Sequence, residues 1–272
     1  MELSIKELRQ ALRENYQIEL VPAAELERLL NLELASESKI FPIEFTERDK
    51  EIYNYVKSNK LTMVPHEGLI NTILSANYAV KNGIVGDFVE CGVWRGGNAL
   101  AALMVFEALG SEKLVWLYDT FQGMTEPSDD DFQLQSQELA SVQFSKFQRD
   151  DHNAWCYASI EDVRKNISDS GVNISHAKLI QGDVMETLRD EENVPTSICA
   201  LRLDTDWYES TKEEMARLYP LVSKKGILII DDYGYWNGSR KAIDEFFHET
   251  DYERPFLQVV YINGTRCGIK PG

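Results

Sequence analysis

Apolar and polar positions over the first 85 residues follow helical spacing. Leu3, Ile5, Leu8 and Leu12 recur at helical intervals in a stretch rich in Leu, Glu and Arg, which predicts one or two amphipathic helices over residues 1–35. Phe41-Pro42-Ile43-Glu44-Phe45 breaks the period and reads as a loop. Thr46 to Lys57 is periodic again, with Thr46 placed as an N-cap and Asp49 three residues on. A further helix runs from about Glu67 to Asn82 and stops at Asn82-Gly83.

From Gly86 onward short apolar runs alternate with helical segments. Asp87 to Val93 is a strand running into glycines, Gly97 to Leu109 a helix ending at Gly110, and Lys113 to Asp119 a second strand. Residues 125–155 are polar and irregular, with an acidic run at Asp129-Asp130-Asp131. Beyond them, helices at Ser159–Ser170, Val184–Arg189, Glu209–Val222 and Ser239–Phe247 alternate with strands at Lys178–Gln181, Ser197–Asp204 and Gly226–Ile230. Phe256–Ile262 and Thr265–Ile269, around Asn263-Gly264, read as a closing hairpin. The alternation predicts an α/β fold: a doubly wound, mostly parallel sheet with an antiparallel pair at one edge. Ligands of such sheets bind outside the carboxyl ends of the strands.

Composition narrows the partners. A chain of 272 residues is long enough for one large α/β domain, or for one domain plus an arm. Its net charge of −17 argues against nucleic acid, which needs clustered Lys and Arg. No apolar run approaches a membrane span, and the first residues lack signal architecture. Cys91, Cys156, Cys199 and Cys267 are far apart with no CxxC pair, so spacing gives no zinc site. Reduced thiols in a cytoplasmic protein are the expectation.

The polar residues at the strand ends carry the chemistry. Glu90-Cys91-Gly92-Val93-Trp94-Arg95-Gly96-Gly97-Asn98 offers a tight turn before a helix, but it is not G-x-G-x-x-G, which disfavours a nicotinamide cofactor. Asp119, at the end of the second strand, suits ribose hydroxyls, and Thr120 to Met124 bring backbone and an aromatic ring nearby. Asp183, in Gln181-Gly182-Asp183-Val184, suits an adenine amino group. Singly each acid reads as a cap or a surface charge. Three at successive strand ends describe a nucleoside pocket with few phosphate-binding features, and S-adenosylmethionine meets that description.

Two more strands end in paired acids, Asp204-Thr205-Asp206 and Asp231-Asp232. Four carboxylates at adjacent strand ends repel one another unless a cation compensates them. Oxygen ligands suit Mg²⁺, and also Ca²⁺ or Mn²⁺. Without a cation, Asp206 and Asp232 would serve as caps of the helices that follow.

Four segments, Glu90 to Gly97, Tyr118 to Met124, Leu203 to Tyr208 and Ile230 to Tyr233, together resemble the macrocin O-methyltransferase family over roughly residues 45–272. Its members include sugar methyltransferases of mycinamicin and novobiocin biosynthesis. The resemblance implies a Rossmann-like class I methyltransferase fold with a seven-stranded sheet, S-adenosylmethionine, Mg²⁺, and transfer to a sugar hydroxyl. It implies a cofactor site at Thr62, Met63, Glu90, Cys91, Gly92, Val93, Asp119, Gln122, Gly123, Asp183 and Val184. It also implies metal ligands Asp204, Asp231 and Asp232, with Asp206 as general base. Residues 1–60 would form a helical arm or lid and 61–272 the methyltransferase domain, with mobile loops at 125–155 over the acceptor. The expected partner is a small-molecule glycoside or sugar, in a homo-oligomer such as a dimer. A catechol-type O-methyltransferase, a metal-dependent glycosyltransferase using Asp-x-Asp and a non-catalytic assembly protein remain open as alternatives.

Overall fold

The computed structural model describes residues 40–261 and 264–272. The helices expected within residues 1–35, and the Asn263 position of the hairpin turn, lie outside them. One compact unit spans Ile43–Gly272. Helix α1 (Glu47–Ser58), from the segment expected to be arm, packs against other helices of this unit.

Helix α1 starts where Thr46 and Asp49 cap each other reciprocally. Asp49 is itself buried and accepts from Asn77 Nδ2 at 2.7 Å, tying α1 to α2 (His66–Lys81). The strands are β1 (Asp87–Cys91), β2 (Val115–Asp119), β3 (Ala177–Gln181), β4 (Ile198–Leu203), β5 (Val222–Ile230), β6 (Gln258–Val259) and β7 (Arg266–Ile269). They form one sheet in the order β3-β2-β1-β4-β5-β7-β6, with β1 to β5 parallel and β7 antiparallel to β5 and β6. The chain winds outward from β1 to β3 and then crosses back to β4, so a crevice opens at the carboxyl ends of β1 and β4.

The two-residue period of the strands sorts their side chains between the sheet's faces. Val89, Cys91, Leu201, Leu203, Leu228 and Ile230 pack with Met215 and Leu218 of α7 (Tyr208–Leu218) and Ile243 of α8 (Asn237–Glu249). Alternate residues, including Glu90 and Arg202, face the opposite side, where α2 and α3 (Gly97–Ala108) cover the sheet. Helix α3 is apolar all round, as a helix between sheet and outer helices must be.

Residues 125–155 differ from expectation. They hold a helix, α4 (Ala140–Phe147), whose only buried residue is Ala140. The segment is also tied to the helices that follow β4 and β5. Asp131, from the acidic run, is buried and accepts from the Tyr208 backbone N–H at 2.7 Å, capping α7 from another segment. Asn237 N–H donates to the Phe132 carbonyl at 2.9 Å, and Lys241 pairs with Asp130 at 2.8 Å. Gly238 meets this segment so closely that an added Cβ would lie 1.8 Å from Asp131 Oδ1. Helices α5 (Ile160–Asp169) and α6 (Val184–Thr187) complete the chain between β2 and β4, each capped at its start by a side chain, Ser159 and Asp183.

Candidate active site

At the carboxyl ends of β1, β2, β4 and β5 lies a cavity of about 550 Å³. Gly92, at φ +81°, lets the turn after β1 reach the turn after β4, where an added Cβ would lie 2.0 Å from the Asp204 carbonyl oxygen. Asp119 shapes this turn as much as it lines the cavity. Its carboxylate accepts from Val93 N–H (2.8 Å), Trp94 N–H (3.0 Å) and Phe121 N–H (2.7 Å). Burial still holds its pKa above the ordinary carboxylate value. Asp183 lines the cavity and caps α6 through Met185 N–H at 2.9 Å.

Thr62 and Met63 border the same cavity. Gly97 N–H donates to the Leu61 carbonyl at 3.0 Å, and Asn98 Nδ2 to Thr62 Oγ1 at 3.3 Å, so this segment is laid across the start of α3. Gly92, Val93, Gly123 and Val184 also border the cavity, whereas Glu90, Cys91 and Gln122 do not. The strand period explains the first two. Glu90 turns under α3 and meets Arg202, its register partner on β4, at 3.1 Å. Cys91 turns to the other face and is fully buried under α7. Gln122 is exposed, and its carbonyl accepts from Asn153 N–H at 3.0 Å.

The acids after β4 and β5 converge. Carboxylate oxygens of Asp204, Asp206 and Asp232 lie within 4.8 Å of one another. Asp232 Oδ2 is buried with no donor reaching it. Carboxylates this close repel one another unless a proton or a cation sits among them. Burial, reinforced by neighbouring carboxylates, holds Asp204 and Asp232 well above the ordinary value and pushes Asp206 to about 7. An all-oxygen, electron-rich trio with an orphaned oxygen fits a hard divalent cation. Asp231 borders the cavity too, but its Oδ1 is engaged by Arg202 (2.7 Å) and Thr265 (2.8 Å).

Asp206 has φ +69°, and Trp207 N–H bonds back to the Thr205 carbonyl at 2.8 Å, a γ-turn centred on Asp206. Trp94 and Cys156, also at the cavity, have positive φ as well. Such backbone is held only where its surroundings over-determine it, and it gathers at functional sites.

Sequence reasoning missed several cavity residues. Trp155, Trp236 and the buried Trp207 form an edge-to-face aromatic cluster with centroids 5.1 to 6.1 Å apart. Trp155 and Trp236 come from segments distant in sequence, and no local pattern joins them. Arg202, fully buried and holding Glu90, Asp204 and Asp231, was also missed. A charge inside the apolar run Ile198–Leu203 was its available signal.

A sequence profile of the macrocin-O-methyltransferase (TylF) family matches residues 9–264. The chain belongs to the macrocin O-methyltransferase family. Family membership makes it an S-adenosylmethionine-dependent O-methyltransferase. It is 31% identical over 187 residues to an 8-demethyl-8-(2,3-dimethoxy-alpha-L-rhamnosyl)-tetracenomycin-C 4'-O-methyltransferase of Streptomyces olivaceus, covering 68% of this chain and 67% of that one. It is 28% identical to the demethyldecarbamoylnovobiocin O-methyltransferase of Streptomyces niveus, covering 77% and 78%. In fold it resembles the O-methyltransferase NovP, with a TM-score of 0.67 at 24% identity over 92% of this chain and 99% of that one. The seven-stranded sheet with its antiparallel end is therefore the class I methyltransferase fold, as the sequence implied.

Proposed function

We propose that this O-methyltransferase methylates a hydroxyl of a sugar in a natural-product glycoside or glycan, using a divalent cation, Mg²⁺ by family resemblance. The observation that carries the reading is the convergence of Asp204, Asp206 and Asp232 within 4.8 Å at the wall of the cavity, which sets two of the proposed metal ligands, Asp204 and Asp232, beside the proposed base, Asp206. The sugar acceptor is supported by the rhamnosyl substrate named for the Streptomyces olivaceus relative.

S-adenosylmethionine supplies an electrophilic methyl group on its sulfonium. Thr62, Met63, the Gly92–Val93 turn, Asp119, Gly123, Asp183 and Val184 would hold it. A divalent cation would lower the pKa of the acceptor hydroxyl as a Lewis acid. Asp204, Asp231 and Asp232 would hold that cation, with Asp231 offering the oxygen that Arg202 and Thr265 leave free. A carboxylate oxygen of Asp206 would take the acceptor's proton as the methyl group passes from the sulfonium to the acceptor oxygen. S-adenosylhomocysteine and the methyl ether are the products.

The glycosyltransferase alternative finds little support. Among the described residues no Lys, Arg or His lines the cavity, so none is placed there to meet a diphosphate. The test is incubation with S-adenosylmethionine and separate panels of glycosides, catechols and nucleotide sugars, read by mass spectrometry. Methylated glycosides only, with activity lost on chelation and restored by Mg²⁺, are the expected outcome. Methylation of catechols alone would remove the sugar reading. Full activity after chelation would remove the metal.

A further inference from the structure

The buried carboxyl of Glu214 plays no part in this chemistry. Glu214, on the second turn of α7, is fully buried and touches neither the cavity nor the carboxylate trio. Thr205 Oγ1 donates to it, lying 2.9 Å from Oε1 and 3.1 Å from Oε2. The Cys91 thiol, from the end of β1, lies beside it. Glu214 therefore meets the ends of β1 and β4 from beneath the sheet.

Thr205 is the residue between Asp204 and Asp206, and its carbonyl closes the γ-turn that holds Asp206 at φ +69°. A non-glycine residue leaves that region of backbone space unless its neighbours hold it there. On the far side of the turn, Trp207 is held by its indole N–H on the Thr125 carbonyl at 2.9 Å. Asp204 N–H bonds to the Cys91 carbonyl at 2.8 Å. The side chain of Thr205 is the remaining handle on the turn, and Glu214 is what grips it.

We infer that Glu214 is a positioning residue, which through the Thr205 hydroxyl holds Asp206 in its left-handed conformation with the carboxylate turned toward Asp204 and Asp232. This rests on the reading of Asp206 as the base. A displacement of about 1 Å in a reacting group is enough to cost on the order of 100-fold in rate. Thr205→Val keeps the side-chain shape and removes the donor. Glu214→Gln keeps an acceptor for Thr205.

The experiment compares wild type, Thr205→Val and Glu214→Gln in full-length protein by kinetics, calorimetry with S-adenosylhomocysteine, thermal melting and crystallography. Thr205→Val is expected to lower kcat by roughly 10- to 100-fold, with donor KM and S-adenosylhomocysteine affinity within about twofold. Its crystal structure is expected to show Asp206 out of the positive-φ region. Glu214→Gln is expected to stay within about threefold of wild-type kcat and to keep the turn, because the amide oxygen still accepts from Thr205. Asp206 at unchanged φ in Thr205→Val overturns the inference whatever the turnover. A kcat loss matched by losses in affinity and melting temperature also overturns it, since that is general destabilisation. Neither result bears on the base itself, which is judged separately from Asp206→Asn.

Discussion

Arg202 Nη2 donates to Asp231 Oδ1 at 2.7 Å, while Nη1 of the same guanidinium donates to Asp204. A single buried cation thus braces the acids at the ends of both β4 and β5. Arg202 also meets Glu90 on β1, so its planar fork serves three adjacent strands. Arg202→Met leaves Glu90, Asp231 and the half-buried Asp204 without their cation. It is expected to cost about 3–5 kcal/mol of stability and to weaken divalent-metal binding. Thermal unfolding and metal titration of Arg202→Met and Arg202→Lys check this, with the lysine variant expected to be intermediate.

Gly92 and Gly110 separate two reasons for glycine. Both have positive φ, but an alanine Cβ at Gly92 would strike the Asp204 carbonyl, whereas at Gly110 nothing lies within 4 Å. Gly110→Ala is expected to cost only the backbone strain, about 1–2 kcal/mol, with S-adenosylhomocysteine affinity unchanged. Gly92→Ala is expected to force apart the turns after β1 and β4 and to lower that affinity at least tenfold. Calorimetry on the two variants is the comparison.

Asp131 caps α7 from the 125–155 segment. Asp131→Ala removes the cap and the anchor together. A loss of about 1–2 kcal/mol is expected. Limited proteolysis should show faster cleavage within residues 125–155, and unchanged cleavage would mean that the other ties suffice.

Glu214 gives a pH-dependent signature. Burial raises its pKa from 4.5 to about 8, so the folded protein keeps a proton that the unfolded chain gives up. Between those values the folded state binds more protons, and stability falls as pH rises. Glutamine holds no such proton. The stability advantage of Glu214→Gln over wild type is therefore expected to grow from about pH 4.5 to pH 8 and then level off. The slope is at most about 1.4 kcal/mol per pH unit. Denaturant melts at several pH values measure it. A constant difference would mean that Glu214 ionises normally.

The strand ends were legible in the sequence because most apolar runs stop at or within two residues of an acid, and acids at strand ends face the crevice of a doubly wound sheet. This placed Asp119, Asp183, Asp204, Asp206, Asp231 and Asp232 at one cavity. Glu90 was harder. It sits inside β1 rather than beyond it, so strand period and a partner two strands' worth of sequence away decide its direction. Helix α4 escaped because it is only eight residues long, so Ala140, Phe144 and Phe147 at i, i+4 and i+7 make barely two turns of period within a polar stretch. The link from Glu214 to Thr205 was hidden for a related reason. A Glu on a helix reads as solvated, and only the packing of α7 on β1 and β4 shows that this one is not.

The most direct measurement is single-turnover methyl transfer by Asp206→Asn, with cofactor and metal binding followed by calorimetry in the same samples. Asparagine keeps the size of the side chain and removes its basicity. If Asp206 takes the acceptor's proton, the chemical step falls by roughly 10²- to 10⁴-fold while both binding constants stay within a few fold of wild type. Turnover at the wild-type rate with both ligands bound would contradict that role.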